Sequence, residues 1–341
     1  MKKRFGLIGA GKMGISHLAI LNAHPLAHVV AVADPSTLIQ HAIKQYTTIK
    51  VYADYKDMFA KEQLDAVVIA VPTKYHDELV KQAVDLNMHV FVEKPFMLDL
   101  EASKKLASIV YQKKLVNQVG YHNKFIGTFK EAKRLLTQSA LGDIYHFEGN
   151  IVGPVILKKK EATWRSKEDE GGGCLMDYAA HMVDLINYQI GNISFINGAN
   201  LLSIYSQHVD DSVSALLTTE NGVHGILNAN WSDETYRKMH TSLSVSGKKG
   251  KMEVDATEMK IYFKQDPGLI GYEKGWNIKP INILTEQVDF YLRGEEYSAQ
   301  MDYFVRAVNE NIPNTINTFE TALKTDEVLS KIKQFKTPQH G

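Results

Sequence analysis

The sequence is poor in what several function classes require. It holds one cysteine, Cys174, in 341 residues, which excludes an intrachain disulfide and a cysteine-based metal cluster. Neither charge is in excess, because 39 Lys and Arg balance 39 Asp and Glu. A chain without net charge offers no electrostatic case for binding nucleic acid or a membrane surface. No apolar run approaches the roughly 20 residues of a spanning helix. The basic start Lys2-Lys3-Arg4 precedes an apolar stretch, yet Gly6, Gly9, Gly11 and Lys12 interrupt it. It therefore lacks the continuous core of about 7–15 apolar residues that an export signal needs. A cytoplasmic, reducing location is expected. Internal repeats and low-complexity tracts are also missing.

What is present is the composition of an ordinary soluble globular protein, 44% hydrophobic and 23% charged. The length exceeds the roughly 250–300 residues at which single cores stop growing, so more than one domain is expected. Up to about residue 120, short apolar runs alternate with amphipathic stretches. Phe5–Ile8, Val29–Ala33, Ala66–Val71, His89–Val92 and Leu115–Val119 read as strands. Met13–Ala23, Thr37–Gln45, Asp77–Leu86 and Leu100–Gln112 read as helices. That alternation predicts a doubly wound α/β sheet, a Rossmann domain. A helix over Phe129–Ser139 follows, and then the pattern changes. Ile144–Val152, Ser194–Ser206, Ser212–Thr219, Gly222–Trp231, Ser242–Ser246, Lys251–Val254 and Lys260–Phe263 read as consecutive strands. One helix, Leu175–Tyr188, interrupts them, and helices around Ala299–Val308 and Phe319–Ile332 close the chain. The expected division is a dinucleotide-binding domain over 1–122. A substrate-binding and oligomerising α+β domain with a large open, mostly antiparallel sheet would then occupy 123–341.

Four places in this frame carry chemistry. Gly9-Ala10-Gly11-Lys12-Met13-Gly14 is a G-x-G-x-x-G between the first strand and first helix, the context that makes the pattern informative. Gly9 allows the turn, Gly11 lets backbone approach a pyrophosphate, and Gly14 permits close helix packing. Asp34 ends the second strand, placed to grip ribose hydroxyls or to serve as a turn residue. Its charge would repel a 2′-phosphate, and Pro35-Ser36 bring no arginine, so NAD is favoured over NADP. Pro72, Thr73 and His76 follow the third of these strands at its carboxyl end, where ligands bind in open sheets. They are assigned to the cofactor, against a helix-capping role for Thr73 and a surface role for His76. Glu93-Lys94-Pro95 follows the next strand. Lys94 can hold a substrate oxygen there, and Pro95 keeps it out of the helical region; a surface Lys–Glu pair is the alternative.

On the helix after Gly171-Gly172-Gly173, Asp177 and His181 stand four apart and share a face. A carboxylate beside an imidazole fixes its tautomer and equips it to move a proton. The same pair can be a structural hydrogen bond, and no further His or carboxylate completes a metal site. Trp164-Arg165 is either a substrate clamp or a loop anchor. The Lys158–Lys160 run and the Tyr291–Tyr297 segment identify no substrate.

Together, the fingerprint Gly9–Gly14, Glu93-Lys94-Pro95, Val119-Gly120-Tyr121 and Gly171–Gly173 leading to Asp177 and His181 resemble the Gfo/Idh/MocA family. These are the relatives of glucose–fructose oxidoreductase and inositol 2-dehydrogenase. The resemblance covers nearly the whole chain and implies a Rossmann domain followed by a domain with an open sheet. It implies that Glu93 and Lys94 meet the cofactor, and that Lys94 also meets the substrate beside a cis Lys–Pro bond. His181 would be the acid/base and Asp177 its orienting partner. Tyr121 and Asn123, with Trp164 and Arg165, would contact a sugar, cyclitol or derivative. Two departures stand out: Ala179-Ala180-His181 replaces a Gly-x-His step, and Asn123-Lys124 replaces Arg-Arg. The implied activity is hydride transfer between NAD and a secondary alcohol, in a homodimer or homotetramer paired through the second-domain sheet. NAD-assisted glycoside cleavage and a non-catalytic NAD-binding regulator remain the alternatives.

Overall fold

The computed structural model describes residues 2–159, 163–288 and 294–335. Lys160 of the lysine run and Tyr291, Leu292 and Arg293 of the later segment lie outside these. The chain divides into two compact units, Met1–His122 with Gln287–Leu323, and Asn123–Glu286 with Lys324–Gly341. Among the described residues, no helix is long and apolar enough to cross a membrane.

The first unit opens β1 (Lys3–Ile8), α1 (Lys12–Ala23), β2 (Ala27–Ala33), α2 (Thr37–Tyr46), β3 (Lys50–Tyr52) and α3 (Tyr55–Lys61). It continues with β4 (Ala66–Ile69), α4 (His76–Asp85), β5 (His89–Val92), α5 (Leu100–Gln112) and β6 (Asn117–Val119). The six strands are all parallel, in the order β3-β2-β1-β4-β5-β6. Helices cover both faces of such a sheet, so its central strands are apolar at successive positions, as in the wholly buried Ala66–Ile69 of β4. The strand order reverses between β1 and β4, which opens a ligand crevice at their carboxyl ends. The sequence pattern did not show β3 and α3.

The second unit holds α6 (Gly127–Thr137), β7 (Ile144–Val152) and a π-helical turn, Leu175–Ala179, that runs into α7 (Ala180–Gln189). Then come β8 (Ile193–Leu202), β9 (Ser212–Thr219), β10 (His224–Asn230), β11 (His240–Gly247) and β12 (Gly250–Asp255). β13 (Glu258–Phe263), β14 (Gly275–Pro280) and the short α8 (Ile281–Leu284) finish the series. The strands form one sheet, β14-β13-β12-β11-β7-β10-β9-β8, antiparallel except at β7–β10. Alternate residues point into the core, as in β11, where Thr241, Leu243, Val245 and Gly247 are buried and their neighbours are not. Gly149 lets α7 approach β7 closely, because a Cβ there would lie 2.6 Å from Met182 Sδ. The other face of the sheet carries exposed Phe195, Leu216, Trp276 and Ile278.

The chain returns to the first unit with α9 (Glu295–Glu310), and α10 (Phe319–Lys333) follows. This corrects the expectation that everything after residue 122 belongs to one domain. Met301, Phe304, Val305 and Val308 make an apolar stripe at helical spacing and join the core of β1, β2 and α1. The Phe304 ring meets Phe5 and Phe91 edge-on, with centroids 6.2 and 5.8 Å apart. His24 Nε2 lies 2.9 Å from Asp302 Oδ1, fastening α1 to α9. The outer edge of β6 is also covered, since Val119 donates its N–H to the Asn317 carbonyl at 2.7 Å.

Candidate active site

The turn after β1 is shaped by contacts that only glycine tolerates. Gly9 has φ +83°, and a Cβ on it would sit 2.6 Å from the Ala70 carbonyl oxygen. A Cβ on Gly14 would collide with the carbonyl oxygen of Gly9. At Gly11 the opposite holds, because among the described residues no atom outside its chain neighbours and adjoining helix backbone lies within 4 Å of a Cβ position there, leaving backbone open to a ligand. α1 starts at Lys12 with no side-chain cap, so its first amides and positive dipole end are available to phosphate. Asp34 Oδ2 accepts the Ala10 N–H at 2.7 Å, and Oδ1 accepts the Ser36 N–H at 2.8 Å. The carboxylate thus ties the glycine turn to the entry of α2 and retains lone pairs for a hydroxyl. An open glycine turn, free amides at the start of α1 and a carboxylate beside them fit a dinucleotide.

Two loops leave the carboxyl ends of β4 and β5. Pro72 is exposed on the first, ahead of the turn Thr73–Tyr75, and Thr73 is buried. His76 departs from its cofactor assignment. Its imidazole is fully buried, with Nδ1 3.1 and 3.0 Å from the Pro95 and Phe96 carbonyls and Nε2 3.0 Å from that of Val71. Burial pushes its pKa down against those carbonyls. The side chain is a strut between the loops, which the sequence could not distinguish from a ligand contact.

The second loop carries Glu93 and Lys94, and the Lys94–Pro95 bond is cis. Glu93 Oε1 lies 2.6 Å from His17 Nε2, while Oε2 accepts the Lys94 N–H at 3.2 Å. Burial raises the Glu93 carboxyl, but the His17 hydrogen bond and the nearby His17 and Lys94 charges outweigh it, and its pKa is lowered. Gly120 explains part of the Val-Gly-Tyr motif, since a Cβ there would stand 2.8 Å from Glu93 Oε2. Tyr121 is 1% exposed. His17 was missed in the sequence. Its only signal was the three-residue step from Gly14, which puts it on the face of α1 that meets the sheet.

In the second unit, Gly171 and Gly173 take φ of +85° and +104°. Gly172 is enclosed by the turn before it, with a Cβ position 2.7 Å from the carbonyl oxygens of Trp164 and Lys167. The three glycines therefore fold the Trp164–Lys167 turn against the start of the π-helical turn. Arg165 Nε then donates to Asp177 Oδ2 at 2.9 Å, and the guanidinium lies 4.5 Å from the centre of the Trp164 ring. Asp177 and His181 are both buried, and the segment joining them is π-helical up to Ala179, where the sequence pattern suggested a plain α-helix. π-turns of this kind recur at functional sites. Asn123 is buried, and its Nδ2 has no hydrogen-bond partner among the described residues. Lys124 instead pairs with Asp184.

The sequence also gave no hint of Asp210 and Asp211. Asp210 Oδ2 accepts the Leu175 N–H at 2.6 Å, fixing the start of the π-turn. Asp211 accepts from the N–H groups of Ile204, Tyr205 and Ser206, the Ser206 hydroxyl and the Trp231 indole, at 2.6–2.7 Å.

Comparison with known proteins agrees with this architecture. A family model for oxidoreductases with an NAD-binding Rossmann fold matches residues 3–121, and the GFO/IDH/MocA C-terminal domain matches residues 129–253. An uncharacterized oxidoreductase, YrbE of Bacillus subtilis, is 23% identical over 335 residues, covering 94% of this chain and 86% of its own. Inositol 2-dehydrogenase of Rhizobium meliloti is 24% identical over 329 residues, covering 95% and 89%. Levoglucosan dehydrogenase, solved with NADH and levoglucosan, superposes with a TM-score of 0.84 at 19% identity, over 98% of this chain and 97% of that one; this likeness speaks for the fold. The chain belongs to the Gfo/Idh/MocA family of oxidoreductases, with an NAD-binding Rossmann fold at its N-terminus.

Proposed function

We propose that this protein transfers a hydride between NAD and a secondary alcohol of a sugar, cyclitol or sugar derivative. When bound, the nicotinamide dinucleotide supplies the hydride acceptor or donor. The glycine turn and the uncapped start of α1 hold the phosphates. Asp34 accepts the ribose hydroxyls and repels a 2′-phosphate, which supports NAD over NADP. Lys94 directs its ammonium at the reacting oxygen and stabilises the negative charge that develops there. His181 takes the hydroxyl proton, or returns it in the reverse direction, and Asp177 orients the imidazole or the substrate. Arg165, bound to Asp177, and the neighbouring Trp164 grip hydroxyl groups. The unspent Asn123 amide donor supports a further contact to the same ligand.

The observation that carries this reading is Asp177, buried and bound to Arg165, one helical turn before buried His181, in a chain with the dinucleotide turn. A pure binder has no need to keep a lysine, an aspartate and a histidine such as Lys94, Asp177 and His181 for chemistry at the nicotinamide. The test incubates the protein with NAD and a panel of sugars and cyclitols and follows the reduced-nicotinamide absorbance. Reduction with at least one compound is expected, abolished in Lys94→Ala. Full turnover by His181→Ala would refute the proton role. Sequence similarity to an inositol 2-dehydrogenase and a levoglucosan dehydrogenase makes inositol and levoglucosan the first compounds to try. The exposed Phe195, Leu216, Trp276 and Ile278 support pairing of two copies through the open sheet face, which sedimentation would show as a dimer or tetramer.

A further inference from the structure

Helix α1 reaches the loop of Lys94 as well as the dinucleotide turn. Its first residues follow the glycine turn, and His17, just over one helical turn into it, meets Glu93 at 2.6 Å. The second oxygen of that carboxylate accepts the N–H of Lys94. We infer that His17 is a positioning residue for Lys94, acting through Glu93, so that the helix that receives the phosphates also sets the direction of the lysine. This rests on the reading of Lys94 as the group that holds the substrate oxygen.

The carboxylate has little freedom to do anything else. Gly120 closes one side, since even a Cβ there would stand 2.8 Å from Oε2. On the far side of Lys94, the carbonyls of Pro95 and Phe96 face the His76 imidazole at 3.1 and 3.0 Å. Lys94 is thereby bracketed, by His17 through Glu93 before it and by His76 after it. His17 itself is fully buried, with its ring edge-on to Phe91 at 5.0 Å. Its Nδ1 has no hydrogen-bond partner among the described residues, so its polar contact is with Glu93. A buried imidazole with one nitrogen unsatisfied is a costly way to fill core space that leucine would fill without penalty. The bond to Glu93 is what a leucine cannot supply.

The experiment compares the parent with His17→Leu, His17→Gln and Lys94→Ala, in the full chain. Its readouts are crystal structures with NADH, NADH affinity by fluorescence, and kcat and KM on a sugar or cyclitol that the parent oxidises. His17→Leu should displace Lys94 and lower kcat about 10–100-fold, the scale of an ångström-level misplacement, with NADH affinity within about twofold of the parent. His17→Gln, which keeps a donor at the same reach, should restore both the position and most of the rate. A His17→Leu protein with Lys94 in place and parental kcat overturns the inference, as does a His17→Gln protein as impaired as the leucine variant. Should His17→Leu not fold, His17→Asn, whose amide stops short of Glu93, takes its place with the same expected and refuting outcomes. Parental kcat in Lys94→Ala would defeat the functional reading instead, and the position of Lys94 in the crystals would still judge His17.

Discussion

Lys124 Nζ and Asp184 Oδ1 are 2.7 Å apart, with side chains only 4% and 2% exposed. Burial pushes the Asp184 carboxyl up, and the Lys124 ammonium only partly opposes it. Its second oxygen has no partner among the described residues. Removing one member of such a pair strands a charge inside the second unit. Lys124→Met should therefore cost about 3–5 kcal/mol in denaturant unfolding, and the double variant Lys124→Met with Asp184→Leu should recover most of it. A single variant as stable as the parent would contradict this.

The acid limb of stability should depend on Asp211. Burial raises its carboxyl, but the Ser206, Trp231 and Tyr205 donors outweigh this and hold it below the usual 3.8. The unfolded chain then binds the proton first as pH falls, so the stabilisation is present above about pH 4 and is lost toward the lower folded value. Asp211→Asn should be less stable than the parent at pH 7 by about 1–3 kcal/mol. That gap should narrow in acid, as measured by urea unfolding at a series of pH values.

Gly120→Ala should act on the loop of Lys94 without touching a substrate group. The new methyl would stand 2.8 Å from Glu93 Oε2, so the carboxylate must shift away. Overpacking of this kind costs about 1–3 kcal/mol, visible as a lower Tm. Turnover should fall by more than cofactor affinity.

Asp34 sets the expected cofactor preference. In Asp34→Ser the charge is gone, and the ratio of kcat/KM for NADP over NAD should rise at least about tenfold, since like-charge juxtaposition costs several kcal/mol. The same variant gives up the carboxylate bond to the Ala10 N–H, so NAD affinity should also fall. An unchanged ratio would remove Asp34 from the selectivity argument.

The strands and helices with strong periodicity were legible, and β5, β7, β9 and α5 carry the bounds expected from the sequence. Three-residue β3 and seven-residue α3 are too short to show a period. The glycine turn and Asp34 were legible because backbone geometry demands particular residues there. His17, Asp210 and Asp211 were not, because their partners are backbone groups or side chains far along the chain. For the same reason His76 looked like a ligand contact, although its partners are the carbonyls of Val71, Pro95 and Phe96. The destination of α9 was hidden too, since an apolar stripe tells that a helix is buried and not against what.

That destination constrains how the protein is made. Phe304, Val305 and Val308 complete a core whose other walls are Phe5, Leu7 and Phe91. A ribosome that has released residue 122 has supplied every strand of the parallel sheet but not the helix that covers this flank. The nascent first unit therefore waits, with aromatic surface uncovered, while residues 123–286 of the second unit are translated. Chaperone dependence during synthesis should peak in that interval, and a fragment ending at residue 122 should aggregate where one extended through residue 310 does not.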